Sequence, residues 1–336
     1  MKVSLKGVVI AGSMTLLAVA SFIDFYLMKP GRLHAPALSG TLVYQSLQHD
    51  GRLRRYALYL PANLASGAPL VMALHGAKSD GTGMRLLTGH RLDHLADRYG
   101  MAVVYPEGEQ RQWSDCRRAG DGKDQREHGA PDDIGFLQAL RDDLTMRHGI
   151  DAARVHVVGF SDGGQMGLRL ALQKPKMVAS LSIIGASMPS PGRSLCGPLP
   201  RNAPPVLMIN GTHDRLNPYR GGVAEMASGS AIKVMPAIDT AAWLAGAGAL
   251  QEATPPSAQA EDGCRVEHAR WRNGNRQVAL YTVHGGGHTL PQPYVRYPRR
   301  LGHTHDGFDG IAVIGNFLLS HNAPRQPPNT TGCLQC

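Results

Sequence analysis

Two kinds of stretch alternate along the chain. Short runs dominated by apolar residues occur at Pro69–Leu74, Met101–Tyr105, Val155–Gly159, Val178–Ile184, Pro205–Asn210 and Val278–Val283. Such runs, without regular polar alternation, predict strands covered on both faces, as in a parallel sheet. Between them, apolar residues recur at helical spacing. His90–Tyr99 places Leu92, Leu95 and Ala96 on one face and stops at Gly100. A second helix opens at Asp132 and Asp133, runs through Ile134, Leu137, Leu140 and Leu144, and stops near Gly149. Further helices are predicted over Gly164–Leu172, Thr240–Leu250 and Gly310–Leu319. Ahead of all of these, Leu42–Tyr44 and Arg55–Leu60 read as two strands turning at His49-Asp50-Gly51. The alternation predicts an α/β fold: a mostly parallel central sheet with helices on both faces and an antiparallel edge from the hairpin. Residues 107–131 read as a polar surface excursion, 251–263 as a loop, and 31–40 as a linker rich in Pro, Gly and Ala. No interior break divides residues 40–321, which are expected to form one domain, with 322–336 a loose tail.

The first thirty residues concern address rather than fold. Lys2 and Lys6 precede an uncharged run from Gly7 to Ile23, the order of an export signal. Ala18-Val19-Ala20 offers a small-x-small cleavage site after Ala20. The run is also long enough to span roughly 25 Å as a helix, so a retained membrane anchor is the alternative to a cleaved signal peptide. Either way, residues 1–30 predict an extracytoplasmic protein: secreted, periplasmic or membrane-anchored. The five cysteines, Cys116, Cys196, Cys264, Cys333 and Cys336, fit that address, because an oxidising compartment would pair four of them. Cys333 and Cys336 sit in the polar tail and supply two of the four ligands a zinc site needs, so a local disulfide or two thiols is expected.

Composition changes the picture little. The net charge of +9 comes from 35 Lys and Arg against 26 Asp and Glu, and only eight of the 35 are Lys. The arginines are scattered, with short clusters at Arg52, Arg54 and Arg55 and at Arg296, Arg299 and Arg300. No nucleic-acid motif accompanies them, so no nucleic-acid partner is expected. Forty-three per cent hydrophobic residues exclude a disordered chain.

The strongest chemical signal is Gly159-Phe160-Ser161-Asp162-Gly163-Gly164. It follows one predicted strand and opens one predicted helix. A serine in that turn is exposed, and glycines at 159 and 163 leave room where backbones pack closely. Ser161 is therefore the candidate nucleophile. A hydroxyl needs a base and a group to orient that base, in the chain order Ser, acid, His. Asp214, in Asn210-Gly211-Thr212-His213-Asp214, follows the strand ending at Asn210 and is the candidate acid. Asp306 and Asp309 compete but break the order. His284 and His288 flank Gly285, Gly286 and Gly287 after the last strand; His288, beyond the glycines and free to reach Ser161, is preferred as the base. Three glycines do not make the helix that an i,i+4 metal pair requires. The backbone N–H of Asp162, and that of Ala77 after His75-Gly76, are the candidate oxyanion donors.

Other candidates are weaker. Asp132 and Asp133 are read as helix caps rather than acid and base. Trp113 would line a cleft or pack as a surface aromatic. His303, His305 and Asp306 lack a fourth ligand for a metal. No HExxH, P-loop or dinucleotide glycine pattern occurs, so neither metal nor organic cofactor is expected.

Taken together, Arg55–Pro61, Leu74–Gly76, Val104–Gly108, Asp132–Leu137, Gly159–Gly164, Asn210–Asp214, Asn217–Tyr219 with Gly221 and Gly222, and Gly285–His288 resemble the polyhydroxybutyrate-depolymerase-type esterases of the α/β-hydrolase superfamily, a group that includes feruloyl and acetylxylan esterases. The likeness runs from about Gly40 to His321. It implies an α/β-hydrolase fold and a secreted serine esterase with Ser161, Asp214 and His288 as its triad. Family members often carry Cys where this chain has Ala77, and Trp where it has Leu290. The expected substrates are small or oligomeric esters: hydroxyalkanoate oligomers or other short-acyl esters first, feruloyl or acetyl groups on plant polysaccharide second. The chain ends soon after its last predicted helix, with no separate polymer-binding domain, so soluble oligomers are expected over insoluble polymer.

Overall fold

The computed structural model describes residues 31, 34–117, 130–225, 231–253 and 263–322. The predicted leader, the Cys333 and Cys336 pair and all but one residue of the predicted tail lie outside them. In chain order the elements are β1 (Thr41–His49), β2 (Arg52–Leu60), β3 (Ala68–Leu74), α1 (Gly81–Leu87), α2 (Arg91–Tyr99), β4 (Ala102–Pro106), α3 (Asp133–His148), β5 (Ile150–Phe160), α4 (Asp162–Gln173), β6 (Ser180–Ile184), β7 (Val206–Gly211), β8 (Gly222–Glu225), β9 (Ala231–Val234), α5 (Ala237–Ala245), β10 (Leu250–Ala253), β11 (Val266–Asn273), β12 (Arg276–Val283) and α6 (Gly310–Ser320).

Ten strands form one sheet in the order β1-β2-β4-β3-β5-β6-β7-β12-β11-β10. The centre, from β4 through β12, is parallel. Both flanks are antiparallel: β1 and β2 on one side, β11 and β10 on the other. The β1–β2 turn has Asp50 at φ 49° and Gly51 at φ 70°, the doubly left-handed turn that matches strand twist.

The apolar runs are continuous because each central strand feeds two cores. Leu70, Met72 and Leu74 of β3 pack with Phe136, Leu140 and Leu144 of α3, Met166 of α4 and Ala241 of α5. Val71 and Ala73 point the other way, to Met84 of α1, Leu92 and Ala96 of α2, and Ile311, Ile314 and Leu318 of α6. The same alternation recurs in β4, β5 and β7. Helices thus cover both faces, as a parallel sheet requires.

Helix ends follow their sequence signals. Asp132 caps α3 by accepting the Gly135 N–H at 2.9 Å, and Gly149 ends it at φ 65°. Asp133 does more than favour the helix dipole. It is fully buried, pairs with Arg54 at 2.6 Å and accepts the Ser114 N–H at 2.7 Å. Burial pushes its carboxyl up, against the pull of Arg54.

Three predictions need correction. The helix expected over Thr240–Leu250 spans Ala237–Ala245; Gly246, at φ 84°, stops it, and Leu250 begins a strand. The loop expected from 251 therefore starts inside β10, which pairs with β11. The excursion expected over 107–131 includes a short helical turn at Glu109–Arg111, and is fastened to the loop after β6 by the Cys116–Cys196 disulfide. Among the described residues no helix is long and apolar enough to cross a membrane.

The disulfide joins residues 80 apart in sequence. Replacing both cysteines by Ser is expected to lower the unfolding free energy by about 2–4 kcal/mol, the usual loss for a crosslink closing a long loop. Urea unfolding under oxidising conditions checks this; a change within about 0.5 kcal/mol would contradict it.

Candidate active site

All the candidate residues follow the carboxyl ends of parallel strands: Ala77 after β3, Ser161 after β5, Asp214 after β7 and His288 after β12. Open α/β sheets hold their sites at this edge. Ser161 sits between β5 and α4 with φ 54° and ψ −116°, a left-handed conformation uncommon for a residue with a side chain. Its N–H donates to the Ile184 carbonyl of β6 at 2.8 Å, fixing the turn to the neighbouring strand. The tight turn exists because two glycines permit it. A Cβ on Gly163 would stand 2.1 Å from the Leu74 carbonyl oxygen, and one on Gly159 would stand 2.3 Å from that of Gly163.

Asp214 and His288 are paired. His288 Nδ1–H donates to Asp214 Oδ2 at 2.7 Å, which leaves Nε2 as the ring's basic nitrogen. The other carboxylate oxygen accepts the N–H groups of Leu216 and Asn217, both at 2.8 Å. Both side chains are almost wholly buried, so the pair is held in a dry setting where a fixed hydrogen bond is strong. The loop carrying His288 is pinned rather than free. Gly287 and His288 donate to the carbonyls of His303 and Leu301, and Gly285 donates to the Thr212 hydroxyl. The His288 ring packs 5.0 Å from that of Phe160, the residue before Ser161.

Gly185 completes this arrangement and was not singled out from the sequence. It follows β6 at φ 61°, and a Cβ there would lie 3.0 Å from His288 Nδ1 and 3.5 Å from Asp214 Oδ2. A glycine at the very end of an apolar strand, Ile183-Ile184-Gly185, was the available signal.

The loop after β3 is built around His75. Its ring is buried, donates from Nδ1 to the Gly76 carbonyl at 2.8 Å and accepts the Gly108 N–H on Nε2 at 2.9 Å. Burial holds its pKa below the usual range, so the ring is neutral and both bonds are satisfied. Trp113 is buried behind this loop, donating its indole N–H to the His75 carbonyl at 2.9 Å. It packs rather than lining the cleft. Ala77 is half-buried, and Asp162 is the first residue of α4.

Ser161, His288, Ala77 and Asp162 line one cleft of about 380 Å³. The competing residues lie elsewhere. His284 pairs with Glu267 at 3.0 Å, Asp306 with Arg296 at 3.1 Å, and Asp309 caps α6 and accepts the Tyr294 hydroxyl. Among the described residues no group of three His, Cys, Asp or Glu side chains could hold a metal ion.

Residues 54–189 match the family model described as Esterase PHB depolymerase. The protein named "Putative esterase NocK" from Nocardia uniformis subsp. tsuyamanensis is 33% identical over 303 residues, 84% of each chain. This chain belongs to the PHB depolymerase esterase family. It is a carboxylic ester hydrolase of the α/β-hydrolase fold. Feruloyl esterase B of Neurospora crassa is 33% identical over 125 residues, which cover 37% of this chain and 41% of that protein. The solved acetyl xylan esterase from Aspergillus awamori covers 74% of this esterase and 95% of its own chain, at 17% identity and a TM-score of 0.49.

Gly185→Ala tests the packing behind the pair. A side chain at this left-handed position is expected to cost about 1–2 kcal/mol and to push on His288. Proton NMR should show the low-field His288 Nδ1–H resonance shifted or lost. An unchanged resonance in a folded variant would contradict the packing described.

Proposed function

We propose that the esterase hydrolyses its substrate through an acyl-enzyme on Ser161. The observation that carries this reading is the buried Asp214–His288 hydrogen bond opening onto the same cleft as Ser161. Ser161 Oγ attacks the ester carbonyl while His288 Nε2 takes its proton. Asp214 orients the ring and favours the imidazolium that forms. The N–H groups of Asp162 and Ala77 hold the oxyanion, each worth a few kcal/mol in such sites. His288 returns the proton to the departing alcohol, and a water activated the same way then releases the acid.

Residues 40–321 act as the catalytic domain in this reading, and 1–30 export it. The buried Cys116–Cys196 bridge supports a place outside the cytoplasm. Hydroxyalkanoate oligomers or other short-acyl esters are the first substrates. Leu290, which stands where family members often carry Trp, supports that choice; it is fully buried among the residues of one core. Esters of plant polysaccharide are the second reading, favoured by the relatives named feruloyl and acetylxylan esterase, of whose length the matches span 23–41%.

The test compares hydroxybutyrate trimer with methyl ferulate, using Ser161→Ala as the blank. The trimer is expected to have the higher kcat/KM, and the blank to lose at least about 10⁴-fold. A preference for ferulate would reverse the order of substrates. A blank that retains more than a few per cent of the rate would remove Ser161 as nucleophile.

A further inference from the structure

Asp162 presents a difficulty for the chemistry just proposed. Its N–H is the proposed donor to the oxyanion, yet the same residue carries a carboxylate. An Asp in the first turn of a helix needs no cation, because the helix dipole already favours it. An uncompensated carboxylate beside a developing oxyanion would oppose the transition state, most strongly in a site from which water is excluded.

The structure places one cation against it. Arg117 donates from one terminal nitrogen to Asp162 Oδ1 at 2.8 Å, and both side chains are at least nine-tenths buried. That guanidinium is itself fixed from behind. Asp115 accepts from Arg117 Nε at 3.0 Å on each oxygen, from the terminal nitrogen at 2.6 Å, and from the Arg117 backbone N–H at 2.8 Å. Burial pushes the Asp115 carboxyl up, and Arg117 pulls it back. Burial works against the Arg117 charge, but the two carboxylates together outweigh it and raise its pKa above the ordinary value, so the group stays charged.

The backbone that delivers Arg117 is fastened at every step. Ser114 N–H donates to Asp133, and the Ser114 carbonyl accepts from Arg169. Cys116 is bonded to Cys196, its carbonyl accepts the Leu195 N–H at 2.7 Å, and Arg117 bridges to Ser194. Buried ion pairs add little net stability, so stability is a poor reason for such a construction. Arg117 and Asp162 both line the cleft with Ser161.

We propose that Arg117 is a positioning residue for the oxyanion site: it pairs with and fixes the Asp162 carboxylate, so that the charge on Asp162 is offset where its amide meets the developing oxyanion. This rests on Ser161 as nucleophile and on the Asp162 N–H as donor. Asp115 and the Cys116–Cys196 bridge set where the guanidinium stands. The benefit appears only as negative charge develops, so it belongs to kcat rather than to KM.

A double-mutant cycle on the full protein tests it, with p-nitrophenyl butyrate as substrate. Arg117→Gln is expected to lower kcat about 10- to 100-fold with KM changed less than about threefold. Arg117→Lys, which keeps the charge, should recover most of that loss. The decisive comparison is Arg117→Gln made on an Asp162→Asn background, where the carboxylate carried by the oxyanion donor is gone and only Asp115 remains against Arg117. There the same change should cost less than about threefold. An equal loss in both backgrounds, or a loss confined to KM, would overturn the proposal and leave Arg117 as packing. A wild-type rate untouched by Ser161→Ala would instead take down the acyl-enzyme reading, and this inference with it.

Discussion

The close approach of three backbones at one edge of the sheet governs everything built there. The β5–α4 turn presses against the end of β3 so tightly that Gly163 has no room for a side chain beside the Leu74 carbonyl. That contact sets Ser161 in its left-handed conformation and brings the loop carrying Ala77 alongside α4. The neighbouring strand β6 adds a second such approach, with Gly185 against the Asp214–His288 pair. Both contacts depend on parallel strands ending together, which in turn depends on two apolar cores clamping the sheet from opposite faces.

The central strands were legible in the sequence for that same reason. A strand buried on both faces is apolar throughout, and Pro69–Leu74 or Pro205–Ile209 can hardly be anything else. The flanking strand β11 was not legible: Glu267, His268, Arg270 and Arg272 interrupt it, because only part of its surface meets a core. Helix α1 was missed because Gly81 and Gly83 weaken its local signal, and its start is set by Asp80 capping the Gly83 N–H. Helix α5 was predicted too long because apolar residues continue past Gly246 into β10.

The chemistry followed a similar division. Ser161, Asp214 and His288 each stand just beyond a strand and next to glycine or a turn, so local sequence marks them. Their partners do not stand out in this way. Arg117 and Asp162 lie 45 residues apart, Arg54 and Asp133 lie 79 apart, and neither pair has a spacing that links them. The first of these pairs lies where the excursion beyond β4 folds back and is tied by Cys116–Cys196. Sequence therefore points to the residues proposed for the triad, while the ion pairs built around them emerge with tertiary structure. Gly185 stands between the two cases: its position after an apolar strand was visible, but its purpose needed His288 beside it.

The central claim is a covalent intermediate on one serine. Its most direct measurement is the site of attachment of a fluorophosphonate probe, read by peptide mass spectrometry on the wild-type protein and on His288→Ala. The account predicts phosphonylation of Ser161 in the wild type, with labelling slowed by orders of magnitude when the base is removed. Labelling of a different residue would contradict it, as would ester hydrolysis that continues in a protein whose Ser161 remains unmodified.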